Sequence, residues 1–473
     1  MTDLDVSSSI ARAFLADIWM SLGGSGEAVE RVTFLGSGAL PSAFAVSDLA
    51  AAAVAAAGLA LSELVRARFG TAPAVAVDRR LASLWFGMSV KPEGWPLPSP
   101  WDPIAGDYAA RDGWIRLHTN APRHRAAALA VLGVAADKET VAAAVHGWSA
   151  DALEEAVVKR GGCAAAMRDL AAWSDHPQGR AVAVEPVAAT VSTAAASTTD
   201  WPARQDRPLT GLRVLDCTRV LAGPVATRFL AGFGAEVLRI DPPDWDEPAL
   251  APEVTLGKRC ARIDIKTERG RERFAALLAE ADVFVHGFRP GALAALGFDG
   301  PARRALRPGL VDISLDAYGW TGPWAGRRGF DSLVQMSAGI AAEGMRRFGV
   351  DRPKPLPVQA LDHAAGYVMA AAALVGLSER LASIRSFEAK TSLARVAALL
   401  MSQAAEDAAG SLRPAGPGDF AAEREETAWG PALRLLPPLA VEGTRMAWTL
   451  PASPLGSASP EWPAIGAAAQ PAG

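Results

Sequence analysis

The stretch LTGLRVLDCTRVLAGPVATRFLAGFGAEVLRID, residues 209–241, decides how the chain is read. Its β-rich run LRVLDCT passes through RVLAGP into GPVATRFLAGFG, where apolar residues recur at helical spacing, and then into a second β-rich run, AEVLRID. Strand, helix and strand in so short a segment predict a βαβ unit with parallel strands. Downstream, ERGRERFAALLAEA reads as a helix and DVFVHG and LVDISL as further strands. The segment to about residue 315 is therefore a parallel sheet with helices on its faces, a doubly wound α/β domain. Ligands of such sheets bind at the carboxyl ends of the strands, which points to loops starting near Thr218, Asp241, Gly287 and Asp316.

Upstream, GDYAARDGWIRLHTN reads as a hairpin turning at Asp112-Gly113, followed by helical stretches near 123–133, 137–146 and 150–160, a smaller α+β domain. Residues 186–207, rich in Ala, Ser and Thr, read as a linker between residues 1–185 and the sheet domain at 208–400. The Pro, Gly and Ala-rich tail, 401–473, is expected to wrap a surface or to be partly disordered.

Composition narrows the function classes. A chain of 473 residues, 50% hydrophobic and 21% charged, can bury large cores. A formal charge of −4 gives no electrostatic case for a nucleic-acid partner, so any anion site has to be local. Cys163, Cys217 and Cys260 lack metal-like spacing, so no metal is expected, and a reducing cytoplasm is the default location. The acidic start MTDLDVSSSI does not resemble a signal peptide. The apolar run from Leu49 to Leu61 is short for a bilayer and reads as a buried helix, so no membrane is implied.

A second pattern cuts across the two halves. VQALDHAAGYVMAAAALVGL (358–377) and AFAVSDLAAAAVAAAGLAL (43–61) each place one carboxylate, Asp362 or Asp48, at the head of a small-residue apolar helix. Helix-head acids commonly serve as caps.

Taken in order with residues 209–241, the stretches GKRCARIDIK (257–266), ADVFVHGFRPGALAALGF (281–298), LDAYGWTGPWAGRRGFDSLVQMSAG (315–339) and the Asp362 helix resemble the family III coenzyme A transferases. This is the CaiB/BaiF group, which includes formyl-CoA transferase. Residues 1–185 resemble the later part of the same family, so the chain reads as a truncated copy fused to another truncated copy, with the Asp helix duplicated. The resemblance implies a Rossmann-like sheet and CoA transfer from an acyl-CoA to a carboxylic acid through an aspartyl-CoA thioester. It further implies CoA as the carried group, an interlocked homodimer, and Asp362 as nucleophile.

At a helix head the dipole and free N–H groups are expected to keep Asp362 ionised. Gly366, four residues on, is expected to allow close approach to a ligand, whereas Asp48 is followed only by Leu and Ala and is assigned a cap role. On the resemblance, Arg219, Val220, Leu221 and Ala222, Lys258 and Arg259, and Gly287, Phe288 and Arg289 surround CoA. Arginine suits phosphate geometry.

Two departures accompany the resemblance. Gly287 stands where many relatives have Asn, and the glycine-rich flap has no clear counterpart, AGPGDF (415–420) being the nearest stretch. The alternatives are an acyl-CoA racemase of the same fold and a non-catalytic CoA-binding protein. Racemisation needs an imidazole where this chain has Phe330, which cannot act as a base. His363 is read as a packing or solvent-facing residue.

Overall fold

The computed structural model describes residues 3–198, 200–202, 204–403 and 410–463. Its largest sheet contains six parallel strands, β1 (Arg213–Cys217), β2 (Glu236–Asp241), β3 (Lys258–Arg262), β4 (Val283–His286), β5 (Val311–Asp316) and β6 (Arg385–Ser392). They lie in the spatial order β3-β2-β1-β4-β5-β6, and a seventh strand, Ala189–Ala194, pairs antiparallel with β6. This is the Rossmann-like doubly wound order, whose connections reverse direction between β1 and β4. The loops that leave those two strands open a crevice between them, so RVLAGP after β1 and GFRPG after β4 sit at the switch point.

Strands β1, β2, β4 and β5 and the intervening helices lie where the hydrophobic pattern puts them. Three strands were not foreseen. GKRCARIDIK, taken as a motif, contains β3, and β6 lay beyond the segment read as sheet. The third, Ala189–Ala194, lies inside the stretch read as a linker. It is an edge strand of mostly exposed residues, Val191 among them, so its order comes from pairing with β6 rather than from a burial pattern of its own.

Helix Ala360–Ala382 packs on this sheet and its twin Val46–Phe69 lies against it, and together they form the centre of the main core. Ala50 to Ala57 and Ala370 to Ala373 are essentially without solvent contact. Small side chains let the two backbones approach closely, which is why both stretches are so rich in alanine. Each helix is long and apolar enough to cross a membrane by length and composition, but 94% of its most apolar window is buried inside the fold.

The smaller α+β module has the hairpin Gly106–Ala109 and Trp114–Leu117, with the Ala110 N–H bonded to the Gly113 carbonyl at 2.8 Å. Its third strand is Ala164–Ala166, and its helices are Pro122–Leu132, Lys138–His146 and Ala150–Lys159. The tail wraps over residues 410–463: Gly430–Arg434 pairs with Val90–Pro92 and Leu439–Val441 with Val75–Asp78. Its end, 464–473, lies outside the described residues.

One buried acid joins three distant segments. Glu253 accepts from the Ser89 and Val90 N–H groups (3.0 and 3.1 Å) and the Ser89 hydroxyl (2.7 Å), and pairs with Arg228 and Arg434. Burial opposes its charge, but Arg228 and then Arg434 outweigh burial and bring its pKa down to about 2. Arg228 also lies 4.7 Å over the Trp85 ring, so the first half, the sheet domain and the tail converge on this carboxylate.

Candidate active site

Asp362 stands in the first turn of Ala360–Ala382, and the residue preceding the helix is Gln359. Asp362 is therefore not the cap. Asp48 likewise lies inside the first turn of Val46–Phe69, preceded by Ala45, and does not cap that helix either. Its carboxylate instead takes two hydrogen bonds from Arg79, Nε to Oδ1 at 2.8 Å and Nη2 to Oδ2 at 3.0 Å, in a site closed to solvent. The cap role given to Asp48 is thus replaced by a buried bidentate ion pair.

Asp362 has no such partner: among the described residues its carboxylate makes no hydrogen bond or ion pair. The expectation that the helix head keeps it ionised is corrected by the next carboxylate along. The Leu361 and Asp362 N–H groups donate to Oδ2 of Asp331 at 2.8 and 3.0 Å, so the free amides of the first turn serve Asp331. Burial, and then the like charge of Asp331, raise the pKa of Asp362 well above the usual carboxylate range. Asp331 itself is raised to about 6, by burial against its hydrogen bonds.

Gly366, one turn on, faces the switch-point loop. A Cβ at this position would lie 2.4 Å from the Ala222 carbonyl oxygen and 2.8 Å from Val225 Cβ. The missing side chain therefore admits the head of helix Ala222–Gly232, not a ligand as the sequence reading held. This contact brings Arg219 to Ala222 beside the Asp362 helix. Within the loop, Val220 has φ +66°, the sole non-glycine positive φ among the described residues. A β-branched residue pays for that conformation in strain. Its N–H donates to Glu247 Oε2 at 2.9 Å, which holds the loop in place. Leu221 and Ala222 are buried, and Arg219 lies 5.2 Å over the Trp245 ring.

The second switch-point loop carries Gly287, Phe288 and Arg289. Gly287 is exposed with open space where a Cβ would be, Phe288 packs on the core behind β4, and Arg289 is exposed. Lys258 is a correction. Its ammonium is fully enclosed, 3.0 Å from Asp216 Oδ2 and 2.9 Å from the Pro224 carbonyl, which leaves it no face for a phosphate. Arg259, on edge strand β3, is half-buried and acts on Glu236 of the adjacent strand. Asp419, in the stretch compared with a flap, is tied to Arg80 at 2.7 Å.

Two arginines missed in the sequence join Arg219 and Arg289. Arg328 follows the β5 loop, and Arg123 heads helix Pro122–Leu132 of the smaller module. Arg328 loses basicity to burial first and then to Arg289 and Arg123, while Arg219 loses it chiefly to burial, with Arg123 adding to the effect. Arg123, Arg289 and Arg328 have no acidic partner among the described residues. Four cations, three from loops and Arg123 from a helix start, thus come from both halves of the chain to share one neighbourhood, a composite no local motif could announce.

The smaller module also presents His118 and His124. His118 stacks on Phe330 with ring centroids 3.8 Å apart and has Nδ1 3.5 Å from the Ser332 hydroxyl, while His124 meets the edge of Phe330 at 5.9 Å. Burial holds both imidazoles neutral, at about 3 and about 4. His363 is turned from Asp362 onto Phe86, with ring centroids 5.1 Å apart, and burial lowers it to about 3. It is a packing residue with no solvent face.

Comparison with known proteins finds one family over part of the chain. The model of CoA-transferase family III matches residues 209–427. A relative from Mycobacterium tuberculosis named "Probable fatty acyl-CoA transferase" is 34% identical over 188 residues, covering 37% of this chain and 47% of the relative. The succinyl-CoA–D-citramalate CoA-transferase of Chloroflexus aurantiacus is 32% identical over 190 residues, covering 37% and 47%. A solved CAIB/BAIF family protein from Brucella suis is 26% identical with a TM-score of 0.37, covering 48% of this chain and 65% of that one. The chain spans about half the length of the curated relatives it matches. Residues 209–427, which hold the doubly wound sheet and the Asp362 helix, are thus similar to CoA-transferase family III.

Proposed function

We propose that the chain is an enzyme that moves CoA from an acyl-CoA thioester to a carboxylic acid, with Asp362 as the covalent carrier. The observation that carries this reading is the contrast between the twin acids: Arg79 neutralises Asp48, whereas Asp362 is buried, without donor or cation among the described residues, on a helix packed against the switch-point loop that follows β1.

In this scheme the Asp362 carboxylate attacks the donor's thioester carbonyl and expels CoA thiolate, forming a mixed anhydride. The thiolate then attacks the Asp362 carbonyl of that anhydride. The donor leaves as a free carboxylate, and an aspartyl-CoA thioester remains. The acceptor carboxylate attacks this thioester, again releasing thiolate, and a second anhydride joins acceptor and Asp362. Attack of the thiolate on the acceptor's acyl carbon yields the new acyl-CoA and restores the Asp362 carboxylate. Water would hydrolyse each of these intermediates, and the enclosing apolar helices Val46–Phe69 and Ala360–Ala382 exclude it.

Arg123, Arg219, Arg289 and Arg328 are assigned to the phosphates of CoA. Arg328→Glu and Arg123→Glu are each expected to weaken CoA binding by about tenfold or more and to flatten its dependence on salt, read by calorimetry at two ionic strengths. Homodimerisation is proposed from the family resemblance, while this chain's own first half supplies Arg123, His118 and His124.

The function is tested by incubating the protein with acyl-CoA donors, succinyl-CoA among them, and a set of mono- and dicarboxylates. CoA is expected to appear on the acceptor without free CoA accumulating. Exchange of the α-hydrogen for deuterium without CoA transfer would replace this reading with racemisation, which the neutral, weakly basic His118 and His363 disfavour.

A further inference from the structure

The hydrogen bonds around Asp331 form a closed set that the transfer scheme does not use. Oδ2 takes the Leu361 and Asp362 amides, and Oδ1 takes the side-chain amide of Gln335. The Gln335 carbonyl oxygen in turn accepts the Leu356 N–H at 2.7 Å. One carboxylate thereby ties helix Asp331–Ser337, the chain entering at Leu356 and the head of Ala360–Ala382 into a single unit. Asp331 and Gln335 are each about 1% exposed, so water does not compete for these bonds.

We infer that Asp331 is a positioning residue that aims and tunes Asp362, taking the amide protons that would otherwise hold the Asp362 carboxylate in its ionised form. The inference rests on Asp362 being the nucleophile. Two consequences follow from the geometry. The backbone of Asp362 is fixed at its own N–H, so the carboxyl is presented from a rigid base. Asp362 also keeps a high proton affinity because its nearest charged neighbour is another carboxylate, and a more basic carboxylate is a stronger nucleophile once ionised.

The surrounding groups leave that pairing dominant. From Trp114–Leu117 and just beyond it come Arg116, whose charge favours ionised Asp331, and neutral His118; His124 comes from Pro122–Leu132. Cys163 lies beside Leu333 and Met336, its thiol pushed up to about 12 by burial. On the Asp362 helix, His363 faces Phe86. Arg228, on the helix packed alongside, is paired with Glu253, and Arg79 with Asp48 of the twin helix. Arg395, from helix Leu393–Met401, donates to the Glu185 carbonyl.

The test compares wild type with Asp331→Asn and Asp331→Ala in pH profiles of kcat/KM and in a turnover-independent titration of the Asp362 carboxyl by 13C NMR, its resonance identified by loss in Asp362→Asn. Asp331→Asn keeps an amide-accepting oxygen and removes the like charge. The acid limb and the NMR midpoint are both expected to move to lower pH, by about one unit or more. Asp331→Ala leaves the two amides without their acceptor and is expected to lower kcat on the order of 100-fold with little change in KM. An Asn profile and midpoint that superimpose on wild type overturn the inference, whether or not the Ala variant folds. Retention of transfer by Asp362→Asn would instead overturn the nucleophile reading, so the two failures are told apart.

Discussion

Asp362→Ala is expected to lower kcat for CoA transfer by about 10⁴-fold or more while CoA affinity stays close to wild type, because the arginines assigned to the phosphates stand on other loops. Calorimetry of CoA binding and a transfer assay on the same preparation check the two halves of this statement. The isosteric Asp362→Asn should be equally inactive yet more stable at neutral pH. The sign follows from the raised pKa: a carboxyl whose folded-state pKa lies above its unfolded value contributes fully below the unfolded value and loses that contribution as pH rises through the folded one. Near pH 7 the ionised form therefore penalises the fold, so Asp362→Asn should melt a few degrees higher there and converge with wild type near pH 4. An acid that destabilises its own fold is a common feature of reactive sites. Asp48→Asn should do the opposite. Activity per folded molecule should be retained, but Arg79 is left buried against a neutral amide, at a cost of about 3–5 kcal/mol.

The second large effect is on stability alone. Glu253→Gln should cost about 3–5 kcal/mol at neutral pH, because Arg228 and Arg434 remain buried around a group that no longer carries charge. Here the folded-state pKa is depressed, to about 2, so the stabilisation is present above the unfolded value and is lost as pH falls through the folded one. Urea unfolding curves of wild type and variant should lie far apart at pH 7 and approach each other as pH is lowered from about 4.5 toward 2. A gap that persists unchanged at low pH would mean that the network acts through packing rather than charge.

The parallel sheet was legible because its strands are continuous apolar runs separated by amphipathic helices, a pattern that burial on both faces demands. LRVLDCT, AEVLRID, DVFVHG and LVDISL each became a strand with almost the same ends. The edge strand Ala189–Ala194 was not legible, since its residues show no sustained alternation of apolar and polar side chains and its partner lies far away in sequence. At the site, the motif context separates the twin acids, but the partners that set their charge could not be read. Arg79, which neutralises Asp48, is 31 residues away, and Asp331, which takes the amides at the Asp362 helix head, is also 31 residues away. Lys258 stands for a third limit: a basic residue in a family motif reads as a phosphate contact, but the fold places its ammonium against Asp216 with no solvent face. Residues such as Arg123 and Arg328 acquire a role from tertiary proximity, which no spacing rule encodes.

Trapping the covalent intermediate tests the central claim most directly. The wild type is incubated with acyl-CoA and then with hydroxylamine, and its peptides are examined by mass spectrometry. A hydroxamate is expected on Asp362, dependent on acyl-CoA and absent from Asp362→Asn. Modification of Asp48 with Asp362 untouched would contradict the account and move the chemistry to the other helix.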